Sequence, residues 1–333
     1  MSEFLNHLAN SDFMLADGAI GTNLFSKGLQ TGDAPELWNS DNPEKIIELH
    51  SEFVAAGSDI LLTNSFGGTA FRLKLHQAEN RVKELNEKAV HLAKQAAEKA
   101  DRPVFVAGSI GPTGELFTPL GMLEKDSAIA AFSDQAEALA DGGADCLWIE
   151  TMSSHEEMEA ATIAAKKTGL PVFATMTFDT AGRTMMGLKP AELAELAGKI
   201  GLNGFGANCG IGPSELLDSI FGLYEASPDA VLIAKGNCGI PAYVEGEIHY
   251  HGTPDLMADY ALCAKAAGAK IIGGCCGTSP AHLAAMRQAL DEAGDLPQIS
   301  RDDAAARLGK PWASVPVASE TRPQRGRGRR RRG

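Results

Sequence analysis

Short runs of apolar and β-branched residues alternate along the chain with longer segments of helical periodicity. Eight runs have the length and composition of buried strands, at 13–16, 59–63, 103–107, 144–149, 171–177, 204–208, 230–234 and 269–273. Eight segments with helical patterning follow them, at 43–56, 79–100, 127–141, 154–167, 190–200, 213–224, 254–267 and 280–293. Several of these segments begin with proline, which suits the first turn of a helix. The alternation predicts an α/β fold, a parallel (β/α)8 TIM barrel.

The residues with the most distinctive chemistry lie where the predicted strands end. They are Asp17 with Gly18, Asn64, Ser109, Glu150, Thr177 with Asp179, Cys209, Asn237, and Cys275 with Cys276. In barrels of this kind, active sites are built at the C-terminal ends of the strands. Asp, Asn and Gly are also common in turns, which could explain any one of them but not the cysteines. The sequence therefore predicts a site at this end of the barrel.

Two adjacent cysteines, Cys275 and Cys276, lie between glycines directly after the eighth predicted strand. Glycine lets the backbone direct both sulfurs at one centre, whereas adjacent cysteines bond each other only through a strained turn. Cys209, at the end of the sixth predicted strand, supplies a third sulfur. Three cysteines with an open fourth position are typical of a catalytic zinc site, so we expect one Zn2+ per chain.

A zinc ion with three thiolates carries a net charge of −1, which favours sulfur chemistry over the activation of water. A substrate thiol in the fourth position would lose its proton near neutral pH. Two carboxylates, Asp17 and Glu150, could hold a substrate ammonium, although each alone could equally be a helix cap or a surface ion pair. Together these residues indicate an amino-acid thiol as the substrate.

Composition and charge narrow the class of protein. The 333 residues are 44% hydrophobic, which is typical of a soluble globular α/β protein, and no apolar stretch is long enough to cross a bilayer. The N-terminus lacks the features of a signal peptide, so we expect a cytoplasmic protein with reduced cysteines. The net charge of −13 makes nucleic acid unlikely as the main partner.

The C-terminus differs in composition from the rest of the chain. We expect residues 1–300 to form the barrel domain and residues 301–333 to form a C-terminal extension. Positions 325–332 are only arginine and glycine, so the end of this extension is predicted to be disordered. It is either a solvated terminus or a segment that binds RNA or an acidic partner, and the second interpretation gives an alternative function for the chain.

Five short motifs resemble one known family. They are Asp17-Gly18-Ala19-Ile20-Gly21-Thr22, Thr63-Asn64-Ser65-Phe66-Gly67, Ile149-Glu150-Thr151, Asn208-Cys209-Gly210 and Gly273-Gly274-Cys275-Cys276-Gly277. Over roughly 13–293 the chain resembles the zinc-dependent homocysteine S-methyltransferases, which include betaine-homocysteine methyltransferase and the homocysteine domain of cobalamin-dependent methionine synthase. The cysteine pair with its upstream cysteine is specific, whereas Asp-Gly alone is weak.

The resemblance implies that the chain forms methionine, with the homocysteine sulfur as the fourth zinc ligand and its thiolate attacking a donor methyl group. It also implies that Asp17 and Glu150 hold the substrate amino group. Backbone amides near Gly18 and Ala19 would bind its carboxylate. Members of the family often assemble, so a homo-oligomer is compatible with the resemblance.

Two residues after the seventh predicted strand bear on the metal site. In methionine-synthase-like members an asparagine there can occupy zinc before the substrate arrives, and Asn237 stands at the corresponding place. The neighbouring Cys238 departs from the family pattern. It is either an alternative ligand or a spectator thiol.

The methyl donor is the open question. A betaine site holds a trimethylammonium group over aromatic faces, but only 6% of this chain is aromatic. Gly67 and Thr151 stand where betaine enzymes are expected to carry aromatic residues, which leaves Trp38 for a cage. Segments 108–113 and 178–184 look more like the methionine-synthase domain. The candidate donors are therefore betaine, S-methylmethionine and the methylcobalamin of a separate corrinoid protein.

A different enzyme class is also compatible with a barrel. In a zinc-free lyase or aldolase, Lys235 at the end of the seventh strand would form a Schiff base, and the cysteines would only pack. Activity would then survive removal of metal.

Overall fold

The computed structural model describes residues 2–239, 241–244 and 247–312. Ten strands are described there: β1 (Met14–Leu15), β2 (Ile60–Leu62), β3 (Phe105–Ile110), β4 (Cys146–Met152), β5 (Val172–Met176), β6 (Gly204–Cys209), β7 (Leu232–Gly236), β8 (Pro241–Val244), β9 (Glu247–Tyr250) and β10 (Ala269–Gly274). Strands β8 and β9 form an antiparallel hairpin. The other eight form one parallel sheet in the order β1-β10-β7-β6-β5-β4-β3-β2, and a parallel bridge from Ala16 to Ile60 joins its two edges. The predicted (β/α)8 barrel is confirmed.

Helices surround this sheet. In the described part of the chain they are α1 (Glu3–Asn10), α2 (Ile20–Ser26), α3 (Trp38–Asp41), α4 (Pro43–Ala55), α5 (Ala70–Leu73), α6 (Val82–Ala97), α7 (Lys125–Asp141), α8 (His155–Lys166), α9 (Pro190–Ile200), α10 (Pro213–Ala226), α11 (Pro254–Ala266), α12 (Pro280–Glu292) and α13 (Arg301–Leu308). All eight predicted helices are present, as α4 and α6–α12. Five of them begin with proline, whose missing N–H would have no partner in the first turn.

A short helix that the hydrophobic pattern did not predict, α1, fills the N-terminal end of the barrel. The ring of Phe4 contacts the rings of Phe105 and Phe173 edge-on, with centroids 5.2 and 5.4 Å apart. Phe4 and Leu8 belong to the same buried cluster as the inward-facing residues of the strands. Because this end is filled, the C-terminal ends of the strands are left to form a cavity.

Part of the predicted C-terminal extension is ordered against the barrel. Helix α13 packs on α10, with Ala304 buried and the Arg301 guanidinium paired with Asp218 and with Glu225. The arginine-rich tail lies outside the described residues, so its predicted disorder stays a prediction, as does the domain boundary at residue 300. None of the described helices combines the length and the apolar character that crossing a membrane requires.

Candidate metal centre and substrate cavity

The structure brings the three predicted zinc ligands together. Cys209 is the last residue of β6, and Cys275 and Cys276 directly follow β10. Their sulfur atoms all lie within 4.8 Å of one another, and the Cys209 and Cys276 Sγ atoms are 4.0 Å apart. A tetrahedral zinc ion with Zn–S bonds of about 2.3 Å requires sulfurs roughly 3.8 Å apart. The three side chains therefore fit such an ion.

Backbone geometry holds these sulfurs in place. Cys209 adopts a left-handed conformation, with φ of 60°, which is uncommon for a residue with a side chain. The Cys275 amide donates to the Gly236 carbonyl at 2.6 Å, and the Cys238 amide donates to the Cys276 carbonyl at 2.9 Å. These bonds tie the two-cysteine loop to the end of β7. Strain at Cys209 is consistent with a functional constraint on its sulfur.

The thiols of the cluster stay protonated in the absence of a cation. The pKa of the Cys275 thiol is raised to about 12. Hydrogen bonding with Cys209 and then burial raise it, while hydrogen bonding with Cys276 acts in the opposite direction. The pKa of Cys276 is also raised to about 12. Thiols held this close do not ionise by themselves at neutral pH. A bound metal ion would supply the positive charge that keeps them as thiolates.

Asn208, one residue before the first cysteine, organises the residues behind the sulfurs. Its Oδ1 accepts from the Thr151 amide at 2.8 Å, and its Nδ2 donates to the Thr151 hydroxyl at 2.7 Å. Nδ2 also lies 3.9 Å from the Cys275 sulfur. The sequence contained Asn208 in one of the five motifs but did not predict a role for its side chain. Its role depends on Thr151 and Cys275, which are distant in the sequence.

A cavity of about 420 Å3 opens beside the sulfurs. Its lining includes the three cysteines together with Gly18, Ala19, Ser109, Glu150 and Lys235. Phe25, Glu36, Phe66 and Arg72 also line it. Most of these residues lie at or just after the C-terminal ends of strands β1, β2, β3, β4, β6, β7 and β10, as the barrel predicts. The volume is large enough for an amino acid and part of a second molecule.

Asp17 does not line this cavity, although it was predicted to hold a substrate ammonium. It is fully buried, its Oδ2 accepts from the Leu62 amide at 2.8 Å, and its Oδ1 lies 3.2 Å from the Lys235 ammonium. Burial raises the pKa of Asp17 to about 6, against the opposing effect of Lys235. Lys235 is thus the immediate partner of Asp17.

Glu150 does line the cavity. It is 8% exposed and accepts a hydrogen bond from the Ser109 hydroxyl. Burial raises the pKa of Glu150, while Lys235 and Ser109 act against that rise. Glu150 therefore stands where a substrate ammonium in the cavity can reach it, and the role of Asp17 stays a prediction.

Lys235 is protonated rather than nucleophilic. Burial acts to lower its pKa, but Asp17, Cys275 and Glu150 outweigh this effect, and the pKa lies above its usual value. A Schiff base requires a neutral amine. The lyase interpretation of Lys235 is therefore not favoured by this geometry.

The other predicted binding residues already make contacts within the chain. The Ala19 amide already donates to the Thr278 carbonyl at 3.2 Å, so it is not free for a substrate carboxylate. Asn237 donates to the Gly210 carbonyl at 2.6 Å, and its buried Oδ1 has no partner among the described residues. Cys238 is buried, packs close to Gly252 and is not part of the three-sulfur group.

The aromatic residues of the cavity are few. Of the described residues that line it, none is tryptophan or tyrosine, and its phenylalanines are Phe25 and Phe66. Trp38, the expected cage residue, is 8% exposed, lies in the core with the Lys45 ammonium 4.9 Å from its ring, and does not line the cavity. Trp38 is therefore not placed to hold a trimethylammonium group there.

Comparisons with known proteins identify similar sequences over most of the barrel. The family model for homocysteine S-methyltransferase matches residues 14–290. The chain is 30% identical over 287 residues to methionine synthase of Mycobacterium tuberculosis, covering 81% of this chain, and 28% identical over 299 residues to that of Mycobacterium leprae, covering 85%. It spans only 24% of the length of each of these relatives.

Solved structures of a bacterial enzyme are also similar. The homocysteine methyltransferase MmuM from Escherichia coli, in its metallated form, superposes with a TM-score of 0.71 at 27% identity, covering 85% of this chain and 98% of that chain. Its apo form gives a TM-score of 0.68 at 26% identity, covering 85% and 97%.

Proposed function

The chain belongs to the homocysteine S-methyltransferase family, and we propose that it forms methionine by methylating homocysteine at a zinc ion held by Cys209, Cys275 and Cys276. Its class is thus methyltransferase, with homocysteine and a methyl donor as reactants. The observation that carries the zinc assignment is the spacing of the three sulfurs beside the cavity. Zinc, when bound, would take the substrate sulfur as a fourth ligand and keep it deprotonated.

The residues of the chain bind and orient the substrate. Glu150, held by Ser109, faces the cavity and accepts the α-ammonium of homocysteine. The Asp17 carboxylate acts indirectly, because it forms an ion pair with the Lys235 ammonium. The substrate sulfur then lies next to the cysteines with its carbon chain fixed, so the donor methyl group must approach from the open side of the cavity.

We favour a methyl group carried by a separate corrinoid protein as the donor. Exposed apolar side chains follow strands β1, β2, β3 and β5 at the end of the barrel where the cavity opens; this apolar rim consists of Phe25, Phe66, Leu75, Leu116, Leu120, Met122, Met185 and Met186. Exposed apolar surface around a ligand cavity is typical of a protein interaction site. The methionine synthases that resemble this chain are about four times as long, which leaves room in them for a methyl carrier.

A second candidate donor, S-methylmethionine, is favoured by a different observation. Glu36 is buried and lines the cavity together with Arg72, so the outer cavity offers one negative and one positive side chain to an amino acid. Betaine is not favoured. Gly67 offers no aromatic wall there; its amide donates to the Glu36 Oε1 at 2.6 Å, and a Cβ at this position would lie 2.9 Å from that oxygen.

The test is methionine formation by the zinc-loaded protein with homocysteine and one donor at a time. Free methylcobalamin, S-methylmethionine and betaine are compared, with a chelator-treated sample as control. We expect zinc-dependent methionine with methylcobalamin. Turnover with S-methylmethionine alone would identify the second donor. Methionine formation that survives complete removal of metal would contradict the zinc mechanism.

A further inference from the structure

The loop that joins β3 to α7 carries three large apolar side chains of the apolar rim at its surface. Leu116, Leu120 and Met122 are 56, 70 and 92% exposed. Leu116 lies against Gly121, where an added Cβ would be 2.5 Å from the Leu116 Cβ. Since Gly121 stands between Leu120 and Met122, the three side chains are neighbours on one surface, which we call the β3–α7 loop patch.

Hydrogen bonds within the loop fix its conformation. The Leu123 amide donates to the Leu116 carbonyl at 3.1 Å, and the Thr118 amide donates to the Leu123 carbonyl at 3.1 Å. The Gly121 amide donates to the Phe117 carbonyl at 2.9 Å. Phe117 and Leu123 pack inward against the hydrophobic core. The loop therefore has apolar side chains that serve folding and others that a fixed backbone holds in water, which is typical of a surface that binds another molecule.

The same loop borders the opening of the cavity. Its first residue, Gly111, lies against the Phe66 ring, where an added Cβ would be 2.6 Å from two ring atoms. An added Cβ at Gly114 would be 3.0 Å from the Arg72 guanidinium. Phe66 and Arg72 both line the cavity. A molecule bound to the patch is therefore next to the opening through which the donor methyl group must pass.

Carboxylates flank the patch on both sides along the chain. Glu115 precedes Leu116, Glu124 and Asp126 follow Met122, and all three carboxylates are on exposed residues. The cation of this segment, Lys125, is paired with Glu159 at 2.8 Å. A partner surface that fits the patch is therefore apolar at its centre and carries Lys or Arg at its border.

Two occupants from the chain itself fit the patch poorly. A second copy in a symmetric contact would bring the same carboxylates together, and each chain has a net charge of −13. The arginine-rich positions 325–332 have the right charge but no apolar side chain to cover leucine and methionine. A separate protein that brings the methyl group meets both requirements of the surface.

We propose that the β3–α7 loop patch is the docking surface for a methyl-carrying corrinoid protein whose own contact surface is apolar with a basic border. This inference rests on the proposed function, in which such a protein is the favoured donor. The patch provides affinity for the carrier, whereas zinc and homocysteine bind inside the cavity and do not depend on it.

The test compares carrier-bound with free methylcobalamin as the donor. The carrier is the corrinoid-binding fragment of a cobalamin-dependent methionine synthase, loaded with methylcobalamin. In the double variant Leu120→Ser/Met122→Ser, kcat/KM for the carrier-bound donor should fall about 10- to 100-fold, the range for truncated anchor residues at an interface. The value for free methylcobalamin should stay almost unchanged. Ile163→Ser, which alters an exposed apolar side chain on α8, is the matched control.

The charged border is tested by a second variant. Glu115→Lys/Glu124→Lys should lower the rate of association with the carrier at low salt, and the difference should disappear at high salt. A faster association of this variant would contradict a basic border on the partner.

Calorimetry of carrier binding gives a readout that does not depend on turnover. Equal affinity of the wild type and the Leu120→Ser/Met122→Ser variant, or a wild type that does not bind the carrier, would overturn the inference. A wild-type dimer that the variant loses in light scattering would also overturn it, because a second copy would then be the occupant. Weaker carrier binding by the variant, with no methionine formed by the wild type from any donor, would contradict the proposed function alone.

Discussion

Replacing Asn208 by alanine tests whether the residues behind the sulfurs set the affinity of the metal centre. The substitution removes an amide that joins the end of β4, at Thr151, to the Cys275 sulfur. Asn208 is 1% exposed, so water does not replace its hydrogen bonds. The Cys275 side chain loses a neighbour that orients it.

The magnitude follows from the contacts that are lost. Two hydrogen bonds of 2.8 and 2.7 Å contribute about 1 kcal/mol each, and the Thr151 amide left without a partner adds about 1 kcal/mol. The total of about 3 kcal/mol corresponds to a fall in Tm of roughly 5 °C for a chain of this size. Loss of a residue that orients a metal ligand should weaken zinc binding about 10- to 100-fold.

The assay is competition for zinc with a chromophoric chelator, alongside thermal unfolding of the metal-free protein. Asn203→Ala is the control, because Asn203 Oδ1 accepts from the Val172 amide at 2.8 Å at the N-terminal ends of β5 and β6, far from the sulfurs. The control should lose stability and keep its zinc affinity. Asn208→Ala with lowered stability and unchanged zinc affinity would show that Asn208 does not orient the metal ligands.

Three further predictions concern the cysteine sulfurs, the Glu150 carboxylate and the buried imidazole of His50. Cys275→Ala and Cys276→Ala should each lose both bound zinc and methyl transfer, whereas Cys263→Ala, in a buried helix position, should keep one zinc per chain by metal analysis; a fully active Cys275 or Cys276 variant would contradict the centre. Burial raises the pKa of Glu150 above 4.5, so the KM for homocysteine should rise as the pH falls toward that range; Glu150→Gln should bind weakly without this dependence, and an unchanged pH profile in the variant would argue against the role. Burial lowers the pKa of His50 from 6.5 to about 4, so stability due to neutral His50 is full above pH 6.5 and is lost, by roughly 3 kcal/mol, as the pH falls to 4. Denaturant unfolding of His50→Leu should lack that loss, and an identical pH dependence in both proteins would contradict it.

The barrel and the meeting of the three cysteines were predictable because both depend on local patterns. Strands buried on both faces are continuous apolar runs, and their spacing by helices leaves few topologies. The C-terminal ends of β6 and β10 converge because only β7 separates them in the sheet. Cysteines at those two ends therefore had to meet.

The division of work among the charged residues was not predictable in the same way. Asp17 and Lys235 are 218 positions apart and lie on strands that are not adjacent, so only the closed barrel pairs them. A sequence shows that Asp17 ends a strand but not whether it faces the cavity. In the same way, the Ala19 amide donates to the carbonyl of Thr278, a residue that is distant in the sequence.

Tertiary packing explains two further differences from the sequence-based predictions, at Trp38 and at helix α1. Trp38 had the right chemistry for a cage, but the core covers it, and its cation is the chain's own Lys45. Helix α1 escaped prediction because eight residues are too few for a clear period, and its burial depends on contacts between Phe4 and distant strands.

The most direct test of the central claim is X-ray absorption at the zinc edge, recorded on the zinc-loaded protein before and after homocysteine is added. We expect three sulfur ligands at about 2.3 Å in the free protein and four after addition, because the substrate sulfur joins those of Cys209, Cys275 and Cys276. A zinc environment that gains no sulfur from homocysteine would contradict it.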